Sequence, residues 1–249
     1  MSTIGGPDII TNGLVLYLDA ANKKSYPGTG TTWTDLSGNG YNATLTNGPT
    51  FDSANGGSIV FDGANDYAEI ANNSGYACTS GSIEYWVNAI DQRGFILYGG
   101  TSTSQNFYIL HGNSTGAFAN ESISVFARNT STVGYSSYYR NGESWLIGQN
   151  WVQVVHTLDG VSNKTYVNGS PVSVTYPNPS ISYTSTPNST QTGFWLDTIS
   201  SGALRIGGRY TASALPYKGK ISILKIYKDP LTDADVLTNY NANKSRFGL

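Results

Sequence analysis

Short apolar runs recur along the chain and are separated by clusters of Gly, Asn, Ser and Thr. Over residues 82–87, alternate residues form two sets, and one set consists of Ile83, Tyr85 and Val87. A period of two indicates a strand in a sheet. The apolar runs predict strands at residues 14–18, 57–61, 67–70, 82–87, 94–98, 106–110, 123–128, 151–157, 164–167, 203–206 and 220–227.

The last of these runs changes its phase. Ile221 and Ile223 are followed by Leu224 and Ile226, so the apolar positions move from one face to the other. A β-bulge, or a strand that is buried on both faces, would produce this pattern.

One helix is predicted, near the end of the chain. Thr232 and Asp235 have the spacing of a capping box, and Leu231 before the cap can pack on Val236 as a hydrophobic staple. Residues three and four apart share one side of a helix. The face predicted to pack on the sheet consists of Val236, Leu237 and Tyr240.

Two long segments, 129–150 and 175–201, interrupt the rhythm of strands and are predicted as loops. Loops of this length are often functional. Their aromatic and acidic residues are candidates for contact with a glycan, or alternatively for a subunit interface, where Tyr and Trp are also enriched. The candidates are Tyr135, Tyr138, Tyr139, Trp145, Tyr176, Tyr183, Trp195 and Asp197.

About a dozen strands with turn-rich gaps and one short C-terminal helix predict an all-β fold, an antiparallel β-sandwich or jelly roll. The 249 residues show no repeat and no interdomain linker. We therefore predict a single domain over residues 13–249, preceded by an N-terminal arm at residues 1–12.

Composition and charge narrow the range of functions. Charged residues make up 12% of the chain and the net charge is −2, so no basic stripe is expected to follow a nucleic acid. No apolar run approaches the roughly 18–20 residues of a membrane helix. The first residues, MSTIGGPDII, lack the features of a secretory signal, and Cys78 is the single cysteine, so we expect synthesis in a reducing cytosol.

The acidic residues and histidines do not form a recognisable catalytic pattern. Retaining glucanases with a sandwich fold need two close carboxylates, and no glutamate here has a carboxylate two residues away. The glutamates are Glu69, Glu84, Glu121 and Glu143. Asp233 and Asp235 have that spacing but lie at the predicted helix start, where acids favour the helix dipole. Of the two histidines, His111 and His156, the second is predicted to be a core residue, and we expect a noncatalytic protein.

Several motifs together resemble one fold family, the laminin-G-like, concanavalin A-like lectin/glucanase jelly roll. They are GLVLYLDAAN (13–22), WTDLSGNGYNATL (33–45), SIVFDGANDYAEI (58–70) and the closing strand and helix (217–249). The resemblance covers residues 13–249. The combination of LVLYLDAAN with the terminal NYNANKSRFGL is most similar to the versions carried by tailed-bacteriophage virion proteins.

This resemblance implies a noncatalytic protein of the virion surface, either a capsid decoration or head-fibre protein or a component of a tail fibre. The implied partners are other virion proteins, further copies of the same chain as a homo-oligomer, and a glycan on the host cell surface. A free lectin-like carbohydrate-binding module is the alternative. Three basic residues, Arg205, Arg209 and Lys218, are interpreted as a solvated face rather than an anion site.

Calcium is the cofactor that the resemblance implies, since many relatives of this fold hold an ion near their loop ends. Calcium takes six to eight hard oxygen ligands. The alternative is that these acidic residues are turn and cap residues. The candidate ligands in the matching motifs are Asp19, Asp35, Asp62, Asn65 and Asp66.

Overall fold

The computed structural model describes residues 8–71, 75, 78–90, 94–100, 106–111, 122–128, 134–140, 150–159, 163–172, 196, 203–209 and 215–249. The strands are β1 (Leu14–Asp19), β2 (Thr32–Trp33), β3 (Ala43–Thr46), β4 (Thr50–Asp52), β5 (Ser58–Asp62), β6 (Tyr67–Ile70), β7 (Gly81–Ala89), β8 (Gly94–Gly99), β9 (Asn106–His111), β10 (Ser122–Arg128), β11 (Gly134–Arg140), β12 (Val152–Leu158), β13 (Asn163–Val167), β14 (Ser170–Val172), β15 (Leu204–Ile206) and β16 (Lys218–Tyr227). The helix α1 spans Asp233–Asn243 and continues into a 3₁₀ segment, Lys244–Phe247.

These strands form two antiparallel sheets of eight strands each. Sheet A has the order β14-β13-β12-β7-β16-β5-β4, with β1 also pairing with β16, and sheet B has the order β11-β10-β9-β8-β15-β6-β3-β2. The predicted all-β sandwich with a C-terminal helix is confirmed. Within the ranges given above, no helix is long and apolar enough to cross a membrane.

Each strand predicted from an apolar run is present, with ends shifted by at most two residues, but others were missed. The predicted loop at 129–150 is wrong over Gly134–Arg140, which forms the edge strand β11 on β10. The sequence GYSSYYR has no aliphatic side chain to mark it as a strand. The short strands β2, β3 and β4 were also missed, because two to four residues are too few to show a period.

The main core lies between the two sheets. From sheet A it receives the predicted face of β7, with Ile83 and Val87 buried, and from sheet B it receives Leu97 and Ile109. Cys78, expected to be a small buried hydrophobe, is half-buried and packs against this core.

A small polar cluster is buried inside this core. The hydroxyl of Tyr85 lies 3.0 Å from Nε2 of His111, which is on sheet B, and 3.1 Å from Nε2 of His156. The other ring nitrogen of His156 lies 3.1 Å from Oγ1 of Thr165. Both histidines are 2% exposed, and burial lowers the pKa of each imidazole to about 3. The prediction of His156 as a core residue agrees with this position.

The opposite face of sheet A is also buried, and it contains an ion pair. Lys225 on β16 and Glu84 on β7 are both fully buried, and Nζ donates to Oε1 at 3.2 Å. The same oxygen accepts from Nε2 of Gln153 at 3.0 Å and from Nε1 of Trp86 at 3.2 Å. The remaining oxygen, Oε2, accepts from Nδ2 of Asn239 on α1 at 2.7 Å. The carboxylate therefore links three strands to the helix.

The phase change in β16 has both predicted causes. The register to β7 shifts between Ile221 and Ile223, as a bulge requires. The strand is also buried on both faces from Ile221 to its end at Tyr227.

The helix starts where the sequence predicted, and two of the three residues of its predicted face pack inward. Thr232 and Asp235 form a reciprocal capping box. Val236 is buried and Tyr240 stacks on Trp86, whereas Leu237 is 47% exposed. The other residues that α1 buries are Asn239, whose amide binds the Glu84 carboxylate, and Asn243, whose amide donates to the carbonyl of Asn239 at 3.0 Å.

The C-terminal segment closes this outer face. Phe247 stacks on Trp86, with ring centroids 4.4 Å apart and 17° between the planes. Nη1 of Arg246 donates to Oδ1 of Asp19 at 2.8 Å, and Nε donates to the carbonyl of Asn55 at 2.7 Å. The end of the chain is thus fastened to the loops beside β1 and β5.

Replacing Lys225 with Met removes one charge of the buried pair and leaves the Glu84 carboxylate unpaired. We expect the free energy of unfolding to fall by about 3–5 kcal/mol, measured by urea denaturation with tryptophan fluorescence. The control is Lys164→Met, which breaks a pair with Asp233 whose side chains are 54% and 61% exposed and should change the free energy of unfolding far less than Lys225→Met does. If Lys225→Met does not fold, Glu84→Gln/Lys225→Met should recover folding. Equal effects of the two single substitutions would contradict the assignment.

The buried imidazoles also predict loss of stability in acid. Their pKa values of about 3 lie below the ordinary value of 6.5, so the unfolded chain binds protons that the folded chain does not. Stability is therefore full above pH 6.5 and falls as the pH drops, by up to about 1.4 kcal/mol per pH unit for each imidazole. Urea denaturation between pH 7 and 5 measures this slope. His156→Gln should halve the slope, and an unchanged slope would show that other groups cause it.

Candidate functional site

The outer face of sheet B carries a row of large side chains at directly paired positions. The register pairs Glu69 on β6 with Arg205 on β15, and Arg205 with Tyr98 on β8. It then pairs Tyr98 with Tyr108 on β9, and Tyr108 with Phe126 on β10. Their neighbours along each strand are buried between the sheets, so these side chains point away from the core.

Three of these side chains are aromatic, and a fourth ring, Phe95, packs beside them. We call these four residues the aromatic row: Phe95, Tyr98, Tyr108 and Phe126. Tyr108 lies nearly parallel to Tyr98, with centroids 6.3 Å apart and planes at 5°, and it stacks on Phe126 at 4.8 Å and 16°. Phe95 places its edge against both tyrosines, at 5.5 and 5.3 Å. Tyr108 is half-buried and the other rings are buried. Tyr108 is therefore the ring of the row that a ligand can reach most readily.

A β-bulge places Phe95 and Tyr98 on the same face although they are three residues apart. The register between β8 and β9 shifts between Phe95 and Leu97. Without the shift, strict alternation would put Phe95 and Tyr98 on opposite faces.

Two arginines lie beside the aromatic row and have different partners. Arg205 donates from Nε to Oε2 of Glu69 at 2.7 Å, and its guanidinium carbon lies 4.0 Å from the ring centroid of Tyr67. The guanidinium carbon of Arg209 lies 5.5 Å from the ring centroid of Tyr98 and 6.0 Å from that of Phe95. Arg205 is neutralised by a carboxylate, whereas Arg209 rests on aromatic faces.

A separate open groove of about 420 Å³ lies between the β12–β13 hairpin and the start of α1. Oδ1 of Asp233 accepts from the hydroxyl of Tyr166 at 2.7 Å and from Nζ of Lys164 at 3.0 Å. The hydrogen bond from Tyr166, followed by that from Lys164, lowers the pKa of the Asp233 carboxyl. Burial, then the contact with Asp233, raises the pKa of Tyr166. Lys164 and Asp233, which both line the groove, therefore bind each other.

Two of the five calcium candidates hold backbone and side-chain donors near β1. Asp19 pairs with Arg246 and also accepts from the amide of Ala21 at 3.0 Å. The oxygens of Asp35 accept from the amides of Tyr17, Ser37 and Tyr41, and from the Ser37 hydroxyl at 2.7 Å. Asp19 therefore holds the turn that follows β1, and Asp35 holds the turn at residues 35–41 against β1.

The other three candidates lie in the turn between β5 and β6. Asp62 accepts from the amide of Ala64 at 2.7 Å, and Asp66 accepts from the amide of Asp62 at 3.0 Å. The side chain of Asn65 is exposed, and its carbonyl accepts from Nδ2 of Asn47. Burial raises the pKa of the Asp66 carboxyl.

The five candidates do not form one site. Across the described ranges, no group of three or more His, Cys, Asp and Glu side chains is placed to hold a metal ion. The contacts of these acids fit the turn-and-cap interpretation better than they fit a calcium site. Calcium binding itself stays a prediction.

Three of the predicted aromatic contacts lie on β11, the edge strand of sheet B. The register pairs Tyr135 with Ala127, Tyr138 with Ser124 and Tyr139 with Ile123 of β10. The remaining predicted contacts, Trp145, Tyr176, Tyr183, Trp195 and Asp197, lie outside the described residues.

The two glutamates whose surroundings are described both have basic partners. Glu69 binds Arg205 and Glu84 binds Lys225. Asp233 and Asp235 lie in the first turn of α1, as predicted. Glu121 and Glu143 lie outside the described residues.

Sequence reasoning missed the aromatic row itself, although a signal for it was present. In residues 106–110 and 123–128, aliphatic residues and Phe107 occupy one face, which leaves Tyr108 and Phe126 on the other face. Aromatic residues on the outer face of two adjacent strands indicate a surface that contacts a ligand or another part of the protein, and not solvent alone.

Comparison of the sequence with protein families gives one family over most of the chain. The model of the concanavalin A-like lectin/glucanases superfamily, in its laminin-G-like form, matches residues 62–237. A search of curated protein sequences gives no match.

Solved structures show the same fold at low sequence identity. Domain 4 of AbnA, a GH43 extracellular arabinanase from Geobacillus stearothermophilus in complex with arabinotriose, is 17% identical with a TM-score of 0.59, over 92% of this chain and 98% of that domain. The binding domain of botulinum neurotoxin serotype D is 13% identical with a TM-score of 0.63, over 93% of this chain. This chain spans 52% of that structure.

A third similar structure belongs to an enzyme. Trypanosoma rangeli sialidase, in complex with the inhibitor DANA, is 14% identical with a TM-score of 0.55, over 93% of this chain and 33% of the sialidase. At such identities the likeness shows the fold and not the activity. The family match and the two-sheet architecture together establish that the chain belongs to the concanavalin A-like lectin/glucanase superfamily.

Proposed function

We propose that this chain is a noncatalytic carbohydrate-binding domain that holds a glycan on the outer face of sheet B. The observation that carries the proposal is the aromatic row, with Tyr108 as its half-buried, parallel-stacked member. A tyrosine face packs on the apolar C–H side of a sugar ring, and polar groups beside it bind the hydroxyls. Glu69 and Arg205 supply such polar groups at one end of the row.

Two of the similar structures support this class of ligand. The arabinanase domain was solved with arabinotriose, and cell entry of botulinum neurotoxin type C is described as dependent on two ganglioside molecules. Each protein is thus described with a glycan-containing ligand, and this chain spans 52% of the botulinum structure.

The noncatalytic part of the proposal is supported by the partners of the glutamates. Oxygens of Glu69 and Glu84 accept hydrogen bonds from Arg205 and Lys225. A glycosidase needs two carboxyl groups placed on either side of the scissile bond, whereas each of these two carboxylates is bound to a basic side chain of the fold.

For the biological setting, we propose the surface of a tailed-bacteriophage virion, as a capsid decoration, head-fibre or tail-fibre protein. The support is the similarity of the segments LVLYLDAAN and NYNANKSRFGL to such proteins. A free lectin-like module is the alternative. A stable homo-oligomer, or a requirement for a second virion protein, would favour the virion setting. A monomer that binds sugar unaided would favour the free module.

Glycan binding is tested with the purified protein on a panel of bacterial surface polysaccharides. We expect specific binding, and Tyr108→Ala should weaken it by about tenfold or more, which corresponds to a loss of about 1.4 kcal/mol. The matched control is Leu237→Ala, on the exposed side of α1, which should leave binding unchanged. Absence of binding at millimolar sugar would overturn the proposal in favour of a purely structural decoration protein.

A chelator tests calcium in the same assay. Because the candidate carboxylates hold protein donors, we expect EDTA to leave both glycan binding and the unfolding temperature unchanged. A fall in either on chelation, reversed by added calcium, would instead show that the protein holds the ion.

A further inference from the structure

We propose that the glycan held on sheet B carries an anionic group, and that Arg209 binds it. This inference rests on the proposed function and adds the chemical class of the ligand. The relevant chemistry is an oxyanion on a sugar ring, such as the carboxylate of a uronic acid or a sulfate. Arginine binds such groups through paired N–H donors.

The hydrogen-bonding state of Arg209 is the first observation. Its Nε is buried and has no hydrogen-bond partner. A buried donor without an acceptor costs about 1–3 kcal/mol, and such groups in folded proteins call for an explanation. An anionic ligand that accepts from the guanidinium would provide one.

The charged groups around Arg209 also support an anionic ligand. In the part of the chain that the structure describes, no carboxylate oxygen lies within 4.0 Å of its guanidinium. Glu69, the acidic residue on this face of sheet B, binds Arg205, with Nε of Arg205 2.7 Å from Oε2 of Glu69. The two arginines are thus unequal, since Arg205 has its counter-ion within the fold and Arg209 does not.

The backbone that carries Arg209 is held in place. Its carbonyl accepts from Nη1 of Arg205 at 3.2 Å. Just before it, Gly207 has a φ of +81°, and a Cβ there would lie 2.5 Å from the ring of Phe61. Hydrogen bonds from Gly207 to Ile96 and from Tyr217 to Gly207 fix the same turn. The guanidinium is therefore presented by a rigid turn, which lowers the entropy cost of binding.

The position of Arg209 suits a ligand that also contacts the aromatic row. Its guanidinium lies over Tyr98, and Tyr98 is the direct cross-strand neighbour of Tyr108. A sugar ring placed on Tyr108 would direct a substituent toward Arg209. Contact with the rings also keeps the guanidinium partly desolvated, which strengthens its attraction for an anion.

The proposal is tested with acidic bacterial polysaccharides and the same polymers after chemical reduction of their carboxyl groups to alcohols. Wild-type protein should bind the acidic form about tenfold or more tightly than the reduced form. Arg209→Gln should remove this preference, so that the ratio of the two affinities falls to about one. Arg209→Lys keeps the positive charge but not the paired N–H donors, so it should retain part of the preference for the acidic polymer. A sulfated polymer of the same backbone distinguishes sulfate from carboxylate.

The matched control is Lys228→Gln, which removes an equal charge at an exposed position just after β16 of sheet A and should keep the full preference. Near-UV circular dichroism and thermal unfolding show whether each variant is folded. Equal binding of acidic and reduced polymers, with Tyr108→Ala still impaired, would overturn this inference and leave the proposed function standing. If no polymer binds, both fail.

Discussion

The buried ion pair between Lys225 and Glu84 is the interaction on which the arrangement of sheet A depends. A carboxylate with no exposed surface needs compensating partners, and here they come from β7, β12, β16 and α1. Removing any one of these elements would leave a charge or a donor unsatisfied in a dry environment. The helix is therefore part of the sandwich, and we expect it to unfold together with the central strands.

The burial of this ion pair also explains which faces of β7 and α1 could be predicted from the sequence and which could not. Alternation at 82–87 correctly gave the inner face of β7, because Ile83, Tyr85 and Val87 are apolar or aromatic. It could not show that the Glu84 side is also buried, since a glutamate in a strand usually indicates solvent. For the same reason the sequence did not indicate that α1 buries Asn239 while it exposes Leu237. Asn239 faces the sheet because its amide is needed there, and an amphipathic pattern counts it as polar.

The candidate site was predicted in two long loops, whereas the aromatic row lies on the strands β8, β9 and β10. Tyr108 and Phe126 belong to strands whose inner residues fill the core, so the register that packs the core also fixes the rings outside. The bulge that brings Phe95 beside Tyr98 depends on how β8 pairs with β9, and a single sequence does not specify that pairing. The acids predicted to bind calcium were correctly located in turns, but spacing alone cannot tell a ligand from a turn cap.

The two sheets differ in what their outer faces are free to do. The outer face of sheet A is occupied by α1 and by Phe247, with Arg246 fastened to Asp19 and Asn55. The outer face of sheet B instead presents aromatic rings and an arginine without a carboxylate partner among the described residues. A rigid core face on one side of β8 and β9 supports these rings on the other, so little order need be gained when a ligand binds. The helix therefore packs on the outer face of sheet A, whereas the outer face of sheet B carries the half-buried ring of Tyr108, to which we assign recognition in our proposal.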